Sequence, residues 1–198
     1  RGLGDVYKRQ VDLRPRGPRV SLPPAVTVFL GLGSNMGDRL ELLRGGVRAL
    51  HRGGLAVRRL SSVVETPAIG SKGQPAFLNL VLEGEWMGEP DALWAVMVGA
   101  EEMAGRERPF PNAPRTLDVD LLFFGGLILR TDHLRVPHPH WKSRSFVVQP
   151  LQQVAPGFVD PETGFSVADV ARLWPQQPGE VSLVMAADAF NWRRTYPS

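Results

Sequence analysis

The chain has 198 residues, 43% of them hydrophobic and 22% charged, with a formal net charge of +3 and no cysteine. This is enough for one domain with a proper core and too little for two, and it excludes disulfides and thiolate-bound zinc. No apolar run approaches the ~20 residues that span a bilayer and no signal-like segment opens the chain, so the cytoplasm is the expected compartment.

The bases are nearly all arginine, with lysine only at Lys8, Lys72 and Lys142. They form no stripe or reading motif, and so give no sign of a nucleic-acid binder. Residues 1–25 hold four prolines and no apolar period; they are expected to be a flexible or foreign leader. A domain is expected over 26–174.

It opens with a strand at "VTVFLGLGSN", where Val26, Val28 and Leu30 alternate before a glycine-rich turn. The glycines of "GLGSNMGD" match neither a dinucleotide fingerprint nor a Walker A loop. Leu40, Leu43, Val47 and Leu50 then recur at helical spacing, ending at Gly53-Gly54. One strand is expected around "AVRRLSSVVE", a loop at "TPAIGSKGQPA", and a further strand around "FLNLVLEGEW". A second helix follows at "EPDALWAVMVGAEEMAG", with Pro90 in its first turn and Leu93, Met97, Ala100 and Met103 on one face. After a loop from Arg106 comes a strand containing "LDVDLLFF".

The order strand, helix, strand, strand, helix, strand predicts an α/β (α+β) fold with a ferredoxin-like βαββαβ core. An appended C-terminal segment holds a Gly-Gly hairpin turn and a short amphipathic helix at "FSVADVARLW". Residues 175–198 lack a pattern and are expected to be a loosely packed tail.

In the last core strand, Thr116, Asp118, Asp120 and Leu122 share one face; Leu117, Val119, Leu121 and Phe123 share the other. Two carboxylates about 7 Å apart repel and raise each other's pKa unless a cation lies between them. The pair alone fits a solvated edge strand as well as a metal site. Its flanks favour the metal: Arg106, Arg108 and Arg115 precede it in a proline-rich loop, and His138, His140, Lys142 and Arg144 follow. Mg²⁺ takes one or two carboxylates and completes its shell from water and phosphate oxygens, while arginines grip phosphates bidentately. The arrangement suits a metal–triphosphate complex.

"RTLDVDLLFFG" followed by "VPHPHWKSRSFVVQPL", preceded by "ETPAIGSKGQPAFLN" and "GLGSNMGD", resembles the 6-hydroxymethyl-7,8-dihydropterin pyrophosphokinase family of folate biosynthesis. The resemblance runs from Val26 to Trp174. It implies a ferredoxin-like core and transfer of the β,γ-pyrophosphoryl unit of ATP to the pterin hydroxymethyl oxygen, releasing AMP. By position, Asp118 and Asp120 would hold two Mg²⁺ ions with ATP, and Arg106 and Arg115 would assist transfer. His138, Arg144 and Arg108 would bind ATP. Thr66, Ala68, Ile69, Gly70, Phe77, Asn79 and Phe146 would form the pterin pocket, the two phenylalanines sandwiching the ring. Within the loop, Pro109, Pro111 and Asn112 replace a basic, a charged and an aromatic residue of the family.

His133 and His140 are read as surface residues. The expected partners are the two small-molecule substrates, without nucleic acid or membrane, in a monomer or weak homodimer. Rival readings are another D-x-D metal enzyme, such as a nucleotidyl- or glycosyltransferase, and a non-catalytic interaction module. The first would leave "TPAIG…FLN" unexplained, and the second would be expected to have lost an aspartate or Arg115.

Overall fold

The computed structural model describes residues 24–68, 73–107, 113–173 and 181–193. In chain order they form β1 (Val26–Ser34), α1 (Arg39–Arg52), β2 (Ala56–Leu60), β3 (Val63–Thr66), β4 (Phe77–Trp86), α2 (Pro90–Met103) and β5 (Asp118–Phe124). Then come β6 (Leu129–Arg130), β7 (Arg135–Val136), a 3₁₀ turn (Trp141–Ser143), α3 (Ser145–Val154), α4 (Val167–Leu173) and β8 (Ser182–Met185). Strands β5, β1, β4, β3 and β8 lie in that order in one antiparallel sheet, with β2 also paired to β4.

The sheet is covered on both faces. On one side, Leu43, Val47 and Leu50 of α1 and Leu93 and Met97 of α2 pack with Val28, Leu30, Leu32, Leu80, Leu82, Val119 and Leu121. On the other, Val147, Val148 and Leu151 of α3 and Val167 and Val170 of α4 pack with Phe29, Val81, Leu122 and Phe123. Period-two alternation along β1 and β4 feeds both layers. Gly46 lets α1 lie close to the sheet, since a Cβ there would stand 2.9 Å from the Leu117 side chain.

Several expectations need correction. β1 runs through both glycines of "GLGS", so the turn begins only at Asn35 and carries Gly37 at φ +62°. Asp38 caps α1 by accepting the Glu41 N–H at 3.1 Å. The single strand expected at "AVRRLSSVVE" is two, because Ser61 and Ser62 interrupt it. The Ser61 hydroxyl accepts the Val81 N–H at 2.8 Å, standing in for a ladder carbonyl, so both pieces stay on β4.

Side chains do not simply alternate along β5. Phe29 pairs with Phe123 and Leu30 with Leu121, so Leu122 is an extra residue in a bulge. Phe123 therefore joins Leu122 on the α3 side and not Leu121. Gly125-Gly126 ends β5, while the small hairpin that follows pairs Leu129 with Val136 and turns over 131–134.

The described part of the expected tail is packed rather than loose. β8 pairs with β3, and Phe190 and Trp192 are buried in the α1 side of the core. Arg44 stacks over Phe190, and Arg48 donates to the Trp192 carbonyl at 3.2 Å. No helix among the described residues is long and apolar enough to cross a membrane.

Candidate active site

The α3 face of the sheet is open beyond the end of α3. Register places Asp120 opposite Gly31, and Gly33 between Asp118 on one neighbour and Asn79 on the other. Residues opposite each other share a face, so two glycines form the floor between two aspartates and an asparagine. At Gly33 a Cβ would come within 2.9 Å of Asn79 Oδ1. A side chain there would displace the amide. The glycines of "GLGS" thus keep this floor flat, a role that their failed match to phosphate loops does not reveal.

Two cavities meet at the two aspartates. One of about 340 Å³ is lined by Gly31, Gly33, Thr66, Phe77, Asn79, His140 and Phe146; the other, of about 540 Å³, by Trp94, Glu101, Arg106, His133, Arg135 and His138. Arg115, Asp118, Asp120 and Arg144 line both. In the first, the buried Asn79 amide donates to Thr66 Oγ1 at 3.0 Å, which fixes the amide's orientation. Arg115 lies over the Phe77 ring and Arg144 over the Phe146 ring, 5.9 and 5.8 Å from the centroids. The aromatic and cationic halves of the site are therefore in contact.

The two carboxylates differ in surroundings. Asp118 is held on both oxygens: Oδ1 by Arg106 at 2.6 Å and Oδ2 by Arg115 at 2.7 Å. Asp120 has Arg144 at 3.1 Å on Oδ2. Burial, reinforced by the charge of Asp118, pushes the Asp120 carboxyl up to about 6, against the opposing pull of Arg144 and Arg115.

His138 Nε2 lies 3.9 Å from the same Asp120 oxygen. Burial, with the charge of Arg144 and then His140, holds its imidazole down at about 4. It is neutral at physiological pH. Its Nδ1 accepts the His140 backbone N–H at 3.1 Å, which assigns the ring proton to Nε2. His138 thus presents a neutral N–H donor beside Asp120.

Two supporting residues lie outside the expected set. Asn35, 1% exposed, accepts the Arg115 N–H on Oδ1 at 2.8 Å while its own N–H donates to the Arg115 carbonyl at 3.1 Å. Its amide nitrogen also reaches Gln74 Oε1 and the Pro75 carbonyl, each at 3.3 Å. Glu101 on α2 is ion-paired to Arg106 and accepts the Val119 N–H at 2.8 Å. "G-S-N" was a clue to the first, whereas Glu101 is hidden among ordinary helix acids. The expectation that His140 is a surface residue is half right: it is exposed, yet it lines the first cavity.

Of the remaining candidates, Ala68 is half-buried beside Pro67, which lines the first cavity. Ile69, Gly70 and Arg108, with the substituted Pro109, Pro111 and Asn112, lie outside the described residues. Lys142 turns away to Asp160, at 3.0 Å.

The donors suit a hard cation. Among the described residues no cluster of three or more His, Cys, Asp or Glu could hold a metal; a cation at the two carboxylates would take its remaining ligands from water and substrate. That is the pattern of Mg²⁺ with a nucleotide.

The family model for 7,8-dihydro-6-hydroxymethylpterin-pyrophosphokinase matches residues 29–156. The 2-amino-4-hydroxy-6-hydroxymethyldihydropteridine pyrophosphokinase of Aquifex aeolicus is 36% identical over 135 residues, 68% of this chain and 84% of that protein. That of Bacillus subtilis is 35% identical over 154 residues, 76% of this chain and 92% of that protein. The mitochondrial folate synthesis bifunctional protein of Arabidopsis thaliana is 37% identical over 136 residues, but the chain spans only 24% of its length. A solved Plasmodium falciparum HPPK-DHPS, wild type with pteroate, superposes with a TM-score of 0.59 at 11% identity. That match covers 76% of this chain and 44% of the solved one, and it is a likeness of fold. With the match spanning both faces of the cleft and its aspartate pair, the chain belongs to the 7,8-dihydro-6-hydroxymethylpterin-pyrophosphokinase family.

Proposed function

We propose that the two cavities are the two substrate sites of this activity, ATP in the larger and the pterin in the smaller, meeting at Asp118 and Asp120. The chain is a pterin pyrophosphokinase of folate biosynthesis: it transfers pyrophosphoryl from ATP to 6-hydroxymethyl-7,8-dihydropterin and releases AMP. The hydroxymethyl oxygen attacks the β-phosphorus, the bond from that phosphorus to the α,β-bridging oxygen breaks, and the hydroxyl proton is lost. The observation that carries the assignment is the shared wall of Asp118, Asp120, Arg115 and Arg144, where one pair of carboxylates borders both an aromatic slot and a basic cavity.

The flat bicycle would lie between Phe77 and Phe146, with its polar edge on Asn79 and Thr66; stacking adds on the order of 1 kcal/mol per ring beyond area burial. Ala68, Ile69 and Gly70 would line the pocket through backbone groups. Asp118 and Asp120 would hold two Mg²⁺ ions. Bound there, Mg²⁺ supplies charge neutralisation and alignment of the triphosphate. Arg106 and Arg115 rest on the two oxygens of Asp118, with Arg106 also held by Glu101, and from there they would engage the transferring phosphates. Arg144, Arg108 and the His138 Nε2–H would bind phosphate oxygens. Catalysis then comes from positioning and electrostatics, without a covalent intermediate on the chain.

The strand and helix order, with β5-β1-β4-β3 antiparallel, supports a ferredoxin-like core. The domain is proposed to span 26–174, with 181–193 packed upon it. A cytoplasmic monomer or weak homodimer acting on small molecules fits the composition. AMP release from ATP, measured with and without the pterin, tests the function; equal release in both refutes it.

A further inference from the structure

Asp160 is fully buried and lies four residues beyond the family match. Its Oδ2 accepts from Trp141 Nε1 at 3.3 Å, Lys142 Nζ at 3.0 Å and Thr163 Oγ1 at 2.8 Å. Its Oδ1 accepts the Glu162 N–H at 2.9 Å. The backbone of Asp160 is itself fixed, with its N–H donating to Phe165 and its carbonyl accepting from Gly164. Burial opposes its ionisation, but Glu162, Lys142 and Thr163 together outweigh burial and keep the carboxyl below its ordinary range.

The segment gripped in this way lies between the two groups assigned to phosphate. His138 is tied at one end, its N–H donating to Leu122 of β5 at 2.9 Å. At the other end, Arg144 precedes α3 and points to Asp120. Between them, one 3₁₀ turn of three residues has little holding power of its own. Trp141 enters the core against Phe123, ring centroids 5.1 Å apart, and its indole N–H needs a partner there. Asp160 supplies that partner and binds the next residue with the same oxygen.

We propose that Asp160 is a positioning residue for the nucleotide side of the site: through Trp141 and Lys142 it sets the register of the segment that presents His138 and Arg144. This rests on the ATP assignment made above. Phe146, by contrast, sits in the first turn of α3, whose Val147, Val148 and Leu151 are anchored in the core. The same segment borders the first cavity only through His140, Ser143 and Arg144, so pterin binding should depend on Asp160 far less than ATP binding does.

The test uses the full chain with Asp160→Asn and Lys142→Gln, both checked for folding by circular dichroism. Asp160→Asn is expected to raise the KM for ATP about tenfold, with kcat and the pterin KM within about twofold; titration with a non-hydrolysable ATP analogue should show the same loss. Lys142→Gln, at a side chain 35% exposed, is expected to give a smaller shift of the same kind, and to add nothing on top of Asp160→Asn. An unchanged ATP KM in the folded variants, or equal losses for both substrates, overturns the proposal. If Asp160→Asn does not fold, Lys142→Gln alone decides on the same criterion. Wild-type protein that releases no AMP would refute the assigned function, whereas active wild type with unaltered variants refutes only the role of Asp160.

Discussion

The aspartate pair is unequal, and replacing Asp120 by Asn exposes the difference as stability. Asp120 has its folded pKa raised from 3.8 to about 6. The folded state therefore holds this proton more tightly than the unfolded chain does. The sign follows: Asp120 favours the fold while protonated, and stability falls as pH rises from about 4 through about 6. At 1.36 kcal/mol per unit, a fully shielded group would cost about 3 kcal/mol above pH 6. A third of this side chain is exposed, so screening reduces the figure to about 1–2 kcal/mol. Asp120→Asn should be more stable than wild type by that amount at pH 7.5 without divalent metal, and much closer to it at pH 4. Urea unfolding of both proteins at the two pH values, read by tryptophan fluorescence, measures the double difference. The same variant should lose turnover at saturating Mg²⁺. An Asn variant that is no more stable at pH 7.5, or equally stabilised at pH 4, would refute the reasoning.

Arg115→Ala should lower kcat about 100-fold or more with a much smaller change in the ATP dissociation constant, as for a group that acts on developing charge; proportional losses would make Arg115 a ground-state anchor. Lys at this position should rescue only in part, because it lacks the planar fork. Phe77→Leu and Phe146→Leu should each weaken pterin binding about tenfold, near 1.4 kcal/mol, and ATP binding far less; calorimetry with each ligand separately checks this. Asn35→Ala removes the side-chain acceptor of the Arg115 N–H, a part-buried bond; leaving one partner unpaired costs about 1–3 kcal/mol when fully buried, and less here. Its effect should appear as lower kcat together with a lower midpoint in thermal unfolding.

Much of this architecture was legible because it is written in local periods. The apolar alternation of β1 and β4, the 3.6-residue faces of α1 and α2, and the charged D-x-D on an apolar strand all announce themselves within about ten residues, although Met103, expected on the α2 face, is exposed and Glu101 is buried there instead. What escaped depends on partners far along the chain. Ser61 interrupts a strand without ending its pairing because its hydroxyl meets Val81. The bulge at Leu122 becomes visible only beside Phe29 and Leu30. The aspartates were seen as equals because spacing shows their repulsion but not the arginines that divide them: two on Asp118, one on Asp120. Asn35 reaches Arg115 across 80 residues, and Glu101, though close to Arg106, also accepts the Val119 N–H 18 residues on.

The closing strand β8 separates two limits that are easily equated. A polypeptide trimmed to residues 29–156 would retain every described residue of the proposed catalytic cleft. It would also lose α4, the Asp160 turn and two aromatic side chains buried beneath α1. Removing one such aromatic to Ala typically costs 3–5 kcal/mol, a large share of the stability of an ordinary domain. The trimmed piece would further bare the edge of β3, the strand that ends in Thr66, and an unpaired edge recruits other chains. The shortest stretch that contains the chemistry is thus not the shortest that should fold. Limited proteolysis beginning near the carboxyl end is expected to yield aggregates before it yields an active core.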